Sequence, residues 1–559
     1  MTDNYSIADL LSLLAKLTDI HEDNSFRSKS YSAAAFTVEK LPQPLSGMEK
    51  DRIFTIKGIG ESSGKKIIEA IDTGRIKALD ELIARTPKGV LDMLSIKGLG
   101  PKKIRTIWKE MEIEDIGELL YACQENRLML FKGFGAKTQQ NVMEAIEFHL
   151  RSQGHFLFAE IEPYALAIQQ KLETDFPTGS FLITGDFRRQ WPTLEKLEWS
   201  TAVSAQEIGS YFIRNGFTLI QEELGMISFS GPENIPLHFR TSIQDRLVQD
   251  RFESSCSSAF LQAIKALPEW QEQTYTSEEQ LFQEIGLSFI PTPMREIKET
   301  VIRAKYEMMP ELIKTDDIHG IIHSHSKWSD GMLGLDEMAE SCIKKGFEYL
   351  VISDHSKSAF YANGLSVDRI LEQHRQIDEL NVKLSPFRIF KSIECDILND
   401  GSLDYTDDVL STFDLVIASI HSNLKMSEEK AMMRLLGAIS NPHTTILGHM
   451  TGRLLLSRNG YPVDHRTIIE ASAEHGVCIE INAHPRRLDI DWSWIPLAME
   501  MGVMLSINPD AHAAEGFDDI RFGVLAAQKG GLTPASNLSS LGLKAFEEYI
   551  QVRKKLKGI

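Results

Sequence analysis

Cysteine is scarce in this chain: there are 5 in 559 residues. Cys123, Cys256, Cys342, Cys395 and Cys478 are scattered, with no CxxC pair, which excludes a disulfide framework and a zinc knuckle and leaves reduced structural thiols. No run approaches the roughly 18 consecutive apolar residues that a membrane span needs. The opening MTDNYSIADL lacks the basic-then-apolar layout of a secretory signal, so no membrane association and a cytoplasmic location are expected. A basic excess is missing too. The net charge is −19, which argues against nucleic-acid binding by bulk charge, because nonspecific affinity comes from Lys and Arg neutralising phosphates. That charge is unevenly spread, however. Residues 1–150 hold 21 Lys and Arg against 22 Asp and Glu, so nearly all the negative excess lies in 151–559. Any affinity for nucleic acid belongs near the N-terminus, and the acidic remainder suits cations.

What is present is ordinary for a multidomain globular protein: 42% hydrophobic and 25% charged residues, in a chain too long for one core. The N-terminal third repeats one layout three times. Ile56-Lys57-Gly58-Ile59-Gly60, Ile96-Lys97-Gly98-Leu99-Gly100 and Phe131-Lys132-Gly133-Phe134-Gly135 are each followed by a helix-like run. Glycines so spaced permit a tight turn between helices and leave amides open at the second helix's N-terminus, where a phosphate is favoured. These are the physics of a helix-hairpin-helix, which grips backbone phosphates without reading bases. Gly58, Gly60, Gly98, Gly100, Gly133 and Gly135 are the candidate DNA-binding positions.

Twelve of the 16 histidines fall between His319 and His512, in a stretch that alternates apolar strands with helical patterns. GIIHSH, EYLVISDH, RIFKSIECDI, LVIASIHS, TTILGHM, VCIEINAH and VMLSINPDAH read as strands; GLDEMAESCIKKG, VDRILEQHRQIDELN and RTIIEASAEHG read as helices between them. Such alternation predicts an α/β barrel or a parallel sheet, with polar residues at the strand ends that form a barrel's active rim. The candidate metal ligands are His323, His325, Asp330, His355, Glu394, His421, His449, Asp510 and His512. On a regular strand the period-two pairs His323/His325 and Asp510/His512 would each face one side. Imidazole and carboxylate without thiolate suit Zn2+, Mn2+ or Fe2+, and nine ligands imply two to three clustered divalent ions. Clustered cations acidify water and stabilise a leaving alkoxide, the chemistry of phosphate-ester hydrolysis.

Two resemblances add to this reading. LPQPL, FTIKGIG and GKKIIEAIDTGRIKALDELI resemble the lyase and fingers regions of bacterial family X DNA polymerases, and the third hairpin lies where that family enters its palm. In relatives with deoxyribose-phosphate lyase activity a lysine eight positions after the first hairpin glycine forms a Schiff base. Here that position is Lys66, with Lys65 as a cationic neighbour. The family's palm carries Gly-Ser-x-Arg-Arg, an Asp-x-Asp pair and a later third Asp. This chain has Gly185-Asp186-Phe187-Arg188-Arg189, then Lys196-Leu197-Glu198 and His238 at the acidic positions, so the metal-binding aspartates are missing. The second resemblance covers residues 316–525. IIHSHSKWSDG, EYLVISDHS, SIECDIL, ASIHS, LGHMTGRLL, EINAHPRRLD and INPDAH are similar, in order and spacing, to the motifs of the polymerase and histidinol phosphatase (PHP) domain. That family holds a trinuclear metal cluster in a distorted seven-stranded barrel, and all nine ligand positions survive. The resemblance implies Glu394 as a bridging ligand and Asp354 as a positioning or proton-transfer group. Arg453, Arg486 and Arg487 become candidates for gripping a phosphate.

The expected organisation is multidomain α+β and α/β. Residues 1–80 form a helical lyase-like domain, 81–150 a fingers-like domain, 151–240 a degenerate palm and 241–300 a thumb-like domain with a linker broken by Pro291 and Pro293. Residues 316–559 form the distorted (β/α)7 PHP barrel. The expected function is a DNA-repair protein with 3'-5' exonuclease or related phosphoesterase activity on gapped DNA or free 3' ends, its polymerase activity lost. The rivals are a working gap-filling polymerase, a small-molecule phosphatase of the histidinol-phosphate type and a noncatalytic DNA-end binder.

Overall fold

The computed structural model describes residues 4–21, 25–41, 43–96, 98–151 and 154–559. The chain divides into two compact units: residues 1–124 with 128–149, and residues 125–127 with 150–559.

The first unit is helical. Its opening helix, Asn4–Ile20, buries Ile7, Leu11, Leu14 and Leu17, a stripe of three- and four-residue steps that makes a helix amphipathic. Each glycine repeat turns the chain into a helix: Glu61–Thr73, Pro101–Lys109 and Ala136–Arg151.

The second unit carries, after the helix Phe158–Asp175, a five-stranded sheet: β1 (Phe181–Thr184), β2 (Leu197–Thr201), β3 (Thr218–Glu223), β4 (Met226–Ser230) and β5 (Pro236–Thr241), in the order β1-β2-β5-β4-β3. Trp199 stacks on Phe239 and Phe229 on Phe212, with Phe239 tilted against Phe212. A helical cluster around Phe252, Phe260 and Phe282 follows. The stretch around Pro291 and Pro293, expected as a linker, instead packs into this cluster. Ile290, Met294 and Arg295 are all buried there, since the two prolines form a 3-10 turn that folds the chain inward.

The barrel uses seven parallel strands: β6 (Gly320–Ser324), β7 (Tyr349–Ile352), β8 (Arg388–Asp396), β9 (Leu415–Ser419), β10 (Thr444–Leu447), β11 (Cys478–Asn482) and β12 (Leu505–Asn508). They pair in chain order, and β6 returns to the β12 end through a single bridge, Ser324 to Ala511. Both faces of the strands are covered, which explains near-continuous apolar runs in place of alternation. All seven sequence segments read as strands are strands here. The helix Leu543–Lys557 closes the underside, with Phe546 stacked on Tyr349 at 4.4 Å between ring centroids.

Candidate metal centre and nucleic-acid contacts

The nine expected ligands converge at the C-terminal ends of the barrel strands. Glu394, at the end of β8, is central: its Oε1 lies 2.9 Å from His449 Nε2, 3.1 Å from His421 Nε2 and 3.3 Å from His323 Nε2. Its Oε2 lies 3.0 Å from His355 Nδ1. Asp510 Oδ1 is 3.0 Å from His325 Nε2, and Asp330 reaches His355 and His512 at 3.5 Å each. Among the described residues four sets could each hold an ion: His325, Asp330, His355 and His512; His323, His325 and Asp510; His355, Glu394 and His421; and Glu125, Asp510 and His512, of which the sequence reading missed Glu125.

Chemically, the set fits cations. Among the described residues, His323 Nε2, His325 Nδ1, both His355 ring nitrogens, Asp330 Oδ2, Glu394 Oε2 and His512 Nε2 are buried with no partner in hydrogen-bond geometry despite the short separations, a costly arrangement for polar atoms unless something else takes their lone pairs. Burial and the flanking His512 and His355 imidazoles pull His325 down to about 3, keeping it in the neutral form that ligates metal. His421 is pushed up to about 10, because Glu394 and Asp396 outweigh the effect of burial.

The route to this geometry differs from the expected one. His323 has φ +64 and Asp510 φ +53, and the β6–β7 register shifts between Ile321 and Ser324. The period-two argument assumed a regular strand, whereas left-handed residues at the strand ends turn both pairs inward. Strain of this kind concentrates at functional sites. Close approach also matters at Gly331, where a Cβ would meet the His325 carbonyl oxygen at 2.1 Å.

Behind the ligands stand acids that the sequence reading missed. Glu480 Oε2 accepts from His323 Nδ1 at 2.6 Å, and Asp396 Oδ1 from His421 Nδ1 at 2.8 Å, fixing which ring nitrogen faces the centre. A signal existed: Asp396 is two residues after Glu394 on β8, and Glu480 is an acid inside the apolar run of β11. Asp354 sits behind the cluster as well. It accepts from Ser326 N at 2.8 Å, Ser326 Oγ at 2.7 Å, Ser329 Oγ at 2.5 Å and Gln373 Nε2 at 2.6 Å. Burial raises its pKa, and the serine hydrogen bonds oppose that rise. Of its two expected roles, this geometry favours positioning, since it anchors the loop that carries Asp330.

Arg453 corrects an expectation. Its guanidinium donates to the Arg487 carbonyl at 2.9 Å, to the Leu488 carbonyl and to Asp491 at 2.7 Å, so it braces a loop and is not poised for a phosphate. Arg486 is likewise committed, to Glu160 at 2.6 Å. Arg487 remains beside the cluster, its Nε 3.8 Å from Asp510 Oδ2.

In the first unit the three hairpins share one backbone. Gly58, Gly98 and Gly133 have φ +99, +95 and +97, conformations that favour glycine. Between each glycine pair the apolar residue is buried: Ile59, Leu99 and Phe134. Gly60 and Gly100 are the N-caps of the following helices and supply no side-chain cap, so first-turn amides are left open. Lys57 and Lys132 are exposed; Lys97 lies outside the described residues. Lys66 does not find the expected cationic setting, because its Nζ pairs with Glu69 at 2.9 Å, while Lys65 turns away to Glu61.

The positions expected for the palm acids are adjacent in space. Glu198 on β2 is the register partner of His238 on β5, and Lys196 Nζ lies 3.0 Å from Glu198. Arg240 adds a second cation at 3.6 Å. The arginines of the Gly185–Arg189 turn are also occupied: Arg188 meets Glu278 at 2.5 Å, and Arg189 meets Asp186 and Glu296.

Comparison with known proteins agrees with this division. A helix-hairpin-helix domain family matches residues 2–76, and a SAM-like helix-hairpin-helix tandem matches residues 90–147. A probable phosphatase of Thermoanaerobacter sp. (strain X514) is 27% identical over 40% of this chain and 90% of its own length. Another from Caldanaerobacter subterraneus is 28% identical over 40% and 86%. The DNA polymerase/3'-5' exonuclease PolX of Bacillus subtilis is 34% identical over 98% of this chain and 99% of its own length, so the chain belongs to the PolX family.

Proposed function

We propose that this protein hydrolyses phosphodiesters at DNA 3' ends through its barrel, with the hairpins holding the DNA and the palm silent in nucleotidyl transfer. The observation that carries the reading is the convergence of nine ligand side chains at the strand ends, where buried ring nitrogens of His323, His325, His355 and His512 and oxygens of Asp330 and Glu394 have no hydrogen-bond partner among the described residues. Divalent cations bound there would acidify a water and neutralise charge on the phosphoryl and leaving oxygens. His323, His325 and Asp510 would hold one ion, His325, Asp330, His355 and His512 another, and His355, Glu394 and His421 a third, with Glu394 bridging and His449 beside it. Glu480 and Asp396 orient the imidazoles, and Arg487 offers a cation at the rim. Which of Mn2+, Zn2+ and Fe2+ the site prefers, a cytoplasmic location and a role in repair belong to the same proposal.

The silence of the palm rests on charge. A nucleotidyl-transfer site needs carboxylates to hold two magnesium ions, yet the facing positions are Lys196, Glu198 and His238, with Arg240 beside them. Arg188 and Arg189, whose turn would meet the triphosphate, are spent on internal acids.

The test is degradation of a 5'-labelled gapped duplex with manganese, with and without nucleotides, comparing wild type with the His323→Ala/His325→Ala double variant. Stepwise shortening by wild type alone, without extension, is expected; extension by either protein would overturn the silent palm. A second reading, a small-molecule phosphatase, is favoured by the barrel's similarity to probable phosphatases. Phosphate release from a small ester, with intact DNA, would select it.

A further inference from the structure

Residues 125–127 belong to the second unit, although the chain on either side of them does not. Asn126, at φ +59, takes a left-handed turn just after the helix Ile116–Gln124, a conformation that asparagine tolerates better than most residues. Both of its neighbours meet the barrel. The Arg127 guanidinium lies over the Tyr361 ring, 4.9 Å from its centroid, on the 3-10 turn Phe360–Ala362 that follows the His355 loop. Glu125 is only 3% exposed, and one of its carboxylate oxygens comes within 4.8 Å of a ligand atom of Asp510 and of His512. Its Oε2 is buried with no partner in hydrogen-bond geometry and stands 2.6 Å from Arg127 Nη2.

Such a placement needs a cation beyond Arg127. Glu125 adds a carboxylate beside Asp510, at a centre that already gathers Asp330 and Glu394, and buried like charges disfavour one another. The guanidinium stands at one oxygen, while an ionised carboxylate offers two oxygens and about four lone-pair sites. Glu125 shares His512 with the group His325, Asp330, His355 and His512, and Asp510 with the group His323, His325 and Asp510, so it stands where two ion positions adjoin. From this convergence we infer that Glu125 is a tenth metal ligand, a carboxylate supplied from outside the barrel's own strands and loops to the ion beside His512 and Asp510. A further anionic oxygen tightens a divalent site. Arg127, seated on Tyr361, holds that oxygen in place.

The inference rests on the metal reading proposed above. Its test uses the full chain as wild type, Glu125→Gln and Glu125→Asp, with Mn2+ binding measured by calorimetric titration, melting temperature with and without Mn2+, and hydrolysis of a single-stranded oligonucleotide. Glu125→Gln is expected to weaken one Mn2+ binding step about 10-fold and to shrink the rise in melting temperature that Mn2+ brings. The metal-free variant should melt no lower than wild type, because an acid has left a crowded site. Glu125→Asp, which keeps the charge on a shorter arm, should fall between the two in affinity. Unchanged Mn2+ affinity in both variants, with or without a lower melting temperature, would overturn the inference, leave Glu125 as the structural partner of Arg127 and keep the hydrolytic reading intact. Weakened Mn2+ binding in Glu125→Gln, with no DNA cleavage even by wild type, would support the inference and overturn the substrate. Failure of wild type to bind Mn2+ would overturn both.

Discussion

At the scale of single residues, acids behind the nine candidate ligands hold the imidazoles in place. Glu480 is fully buried and bonded to His323, the backbone of His449, Asn482 and Asn508. Glu480→Ala is expected to weaken Mn2+ affinity about 10- to 100-fold. Glu480→Gln, which preserves shape and an acceptor oxygen, should lose less; calorimetric titration would show equal affinities if Glu480 does no more than fill space. A second residue-scale expectation concerns Glu278. Burial would raise its pKa, but the Arg188 hydrogen bond and the Arg295 and Arg188 charges outweigh it and hold the group at about 2, below its ordinary 4.5. A carboxyl with a depressed folded pKa adds stability that is complete above the unfolded value and disappears as pH falls through the folded one. Acid should therefore destabilise the Glu278 cluster between about pH 4.5 and 2, by about 3 kcal/mol at about 1.4 kcal/mol per unit. Denaturant melts of wild type and Glu278→Gln across that range should differ in slope, with Glu278→Gln flatter and, near neutral pH, less stable because Arg188 and Arg295 lose their acid. Parallel pH profiles would remove Glu278 as the cause.

Among elements, the hairpins offer the cleanest comparison because three copies share one conformation. Alanine at Gly58, Gly98 or Gly133 must adopt φ near +97, at a cost of about 1 kcal/mol or more. At Gly58 the new Cβ would also meet Thr37 Oγ1 at 2.6 Å, whereas nothing lies within 4 Å of it at Gly98 or Gly133. Thermal melts should rank Gly58→Ala as the most damaging, and all three should weaken DNA binding. Replacing Lys57 and Lys132 by alanine should reduce the salt dependence of that binding by about one unit each in the log–log slope, if each contacts a phosphate. An unchanged slope would assign the contact to the amides alone.

Elements were also where the sequence was most and least informative. The barrel strands were legible because apolar runs ending in His or Asp at regular intervals have few other meanings, and the hairpins because repetition multiplies a weak signal. The left-handed turns at His323 and Asp510 were not legible, since no propensity places a histidine at φ +64; tertiary packing imposes it. The occupied guanidinium of Arg453 was invisible for a related reason, because its partners at Arg487, Leu488 and Asp491 are more than 30 residues away. The packed turn at Pro291 and Pro293 shows how proline composition alone misreads a core as a linker.

For the molecule as a whole, charge is divided by task. The helical unit is close to neutral, with exposed lysines at its turns, and the rest carries the acidic excess, part of it concentrated where the ligands gather. Among the described residues, no helix is long and apolar enough to cross a membrane. The barrel itself has a seam. Its first and last strands meet at one bridge, through His325 N to Ala511 O at 2.8 Å and Ala511 N to His323 O at 3.3 Å. His323 and His325 stand on one side of that seam, Asp510 and His512 on the other. An ion shared by His325 and Asp510 would thus be a clasp as well as a reagent, tying the two ends of the sheet where hydrogen bonding is thinnest. Hydrogen exchange with and without a chelator should show amides of residues 320–325 and 505–512 losing protection first when metal is withdrawn, ahead of those in β8 and β9. The enzyme would then lose its shape at the same place, and for the same reason, that it loses its chemistry.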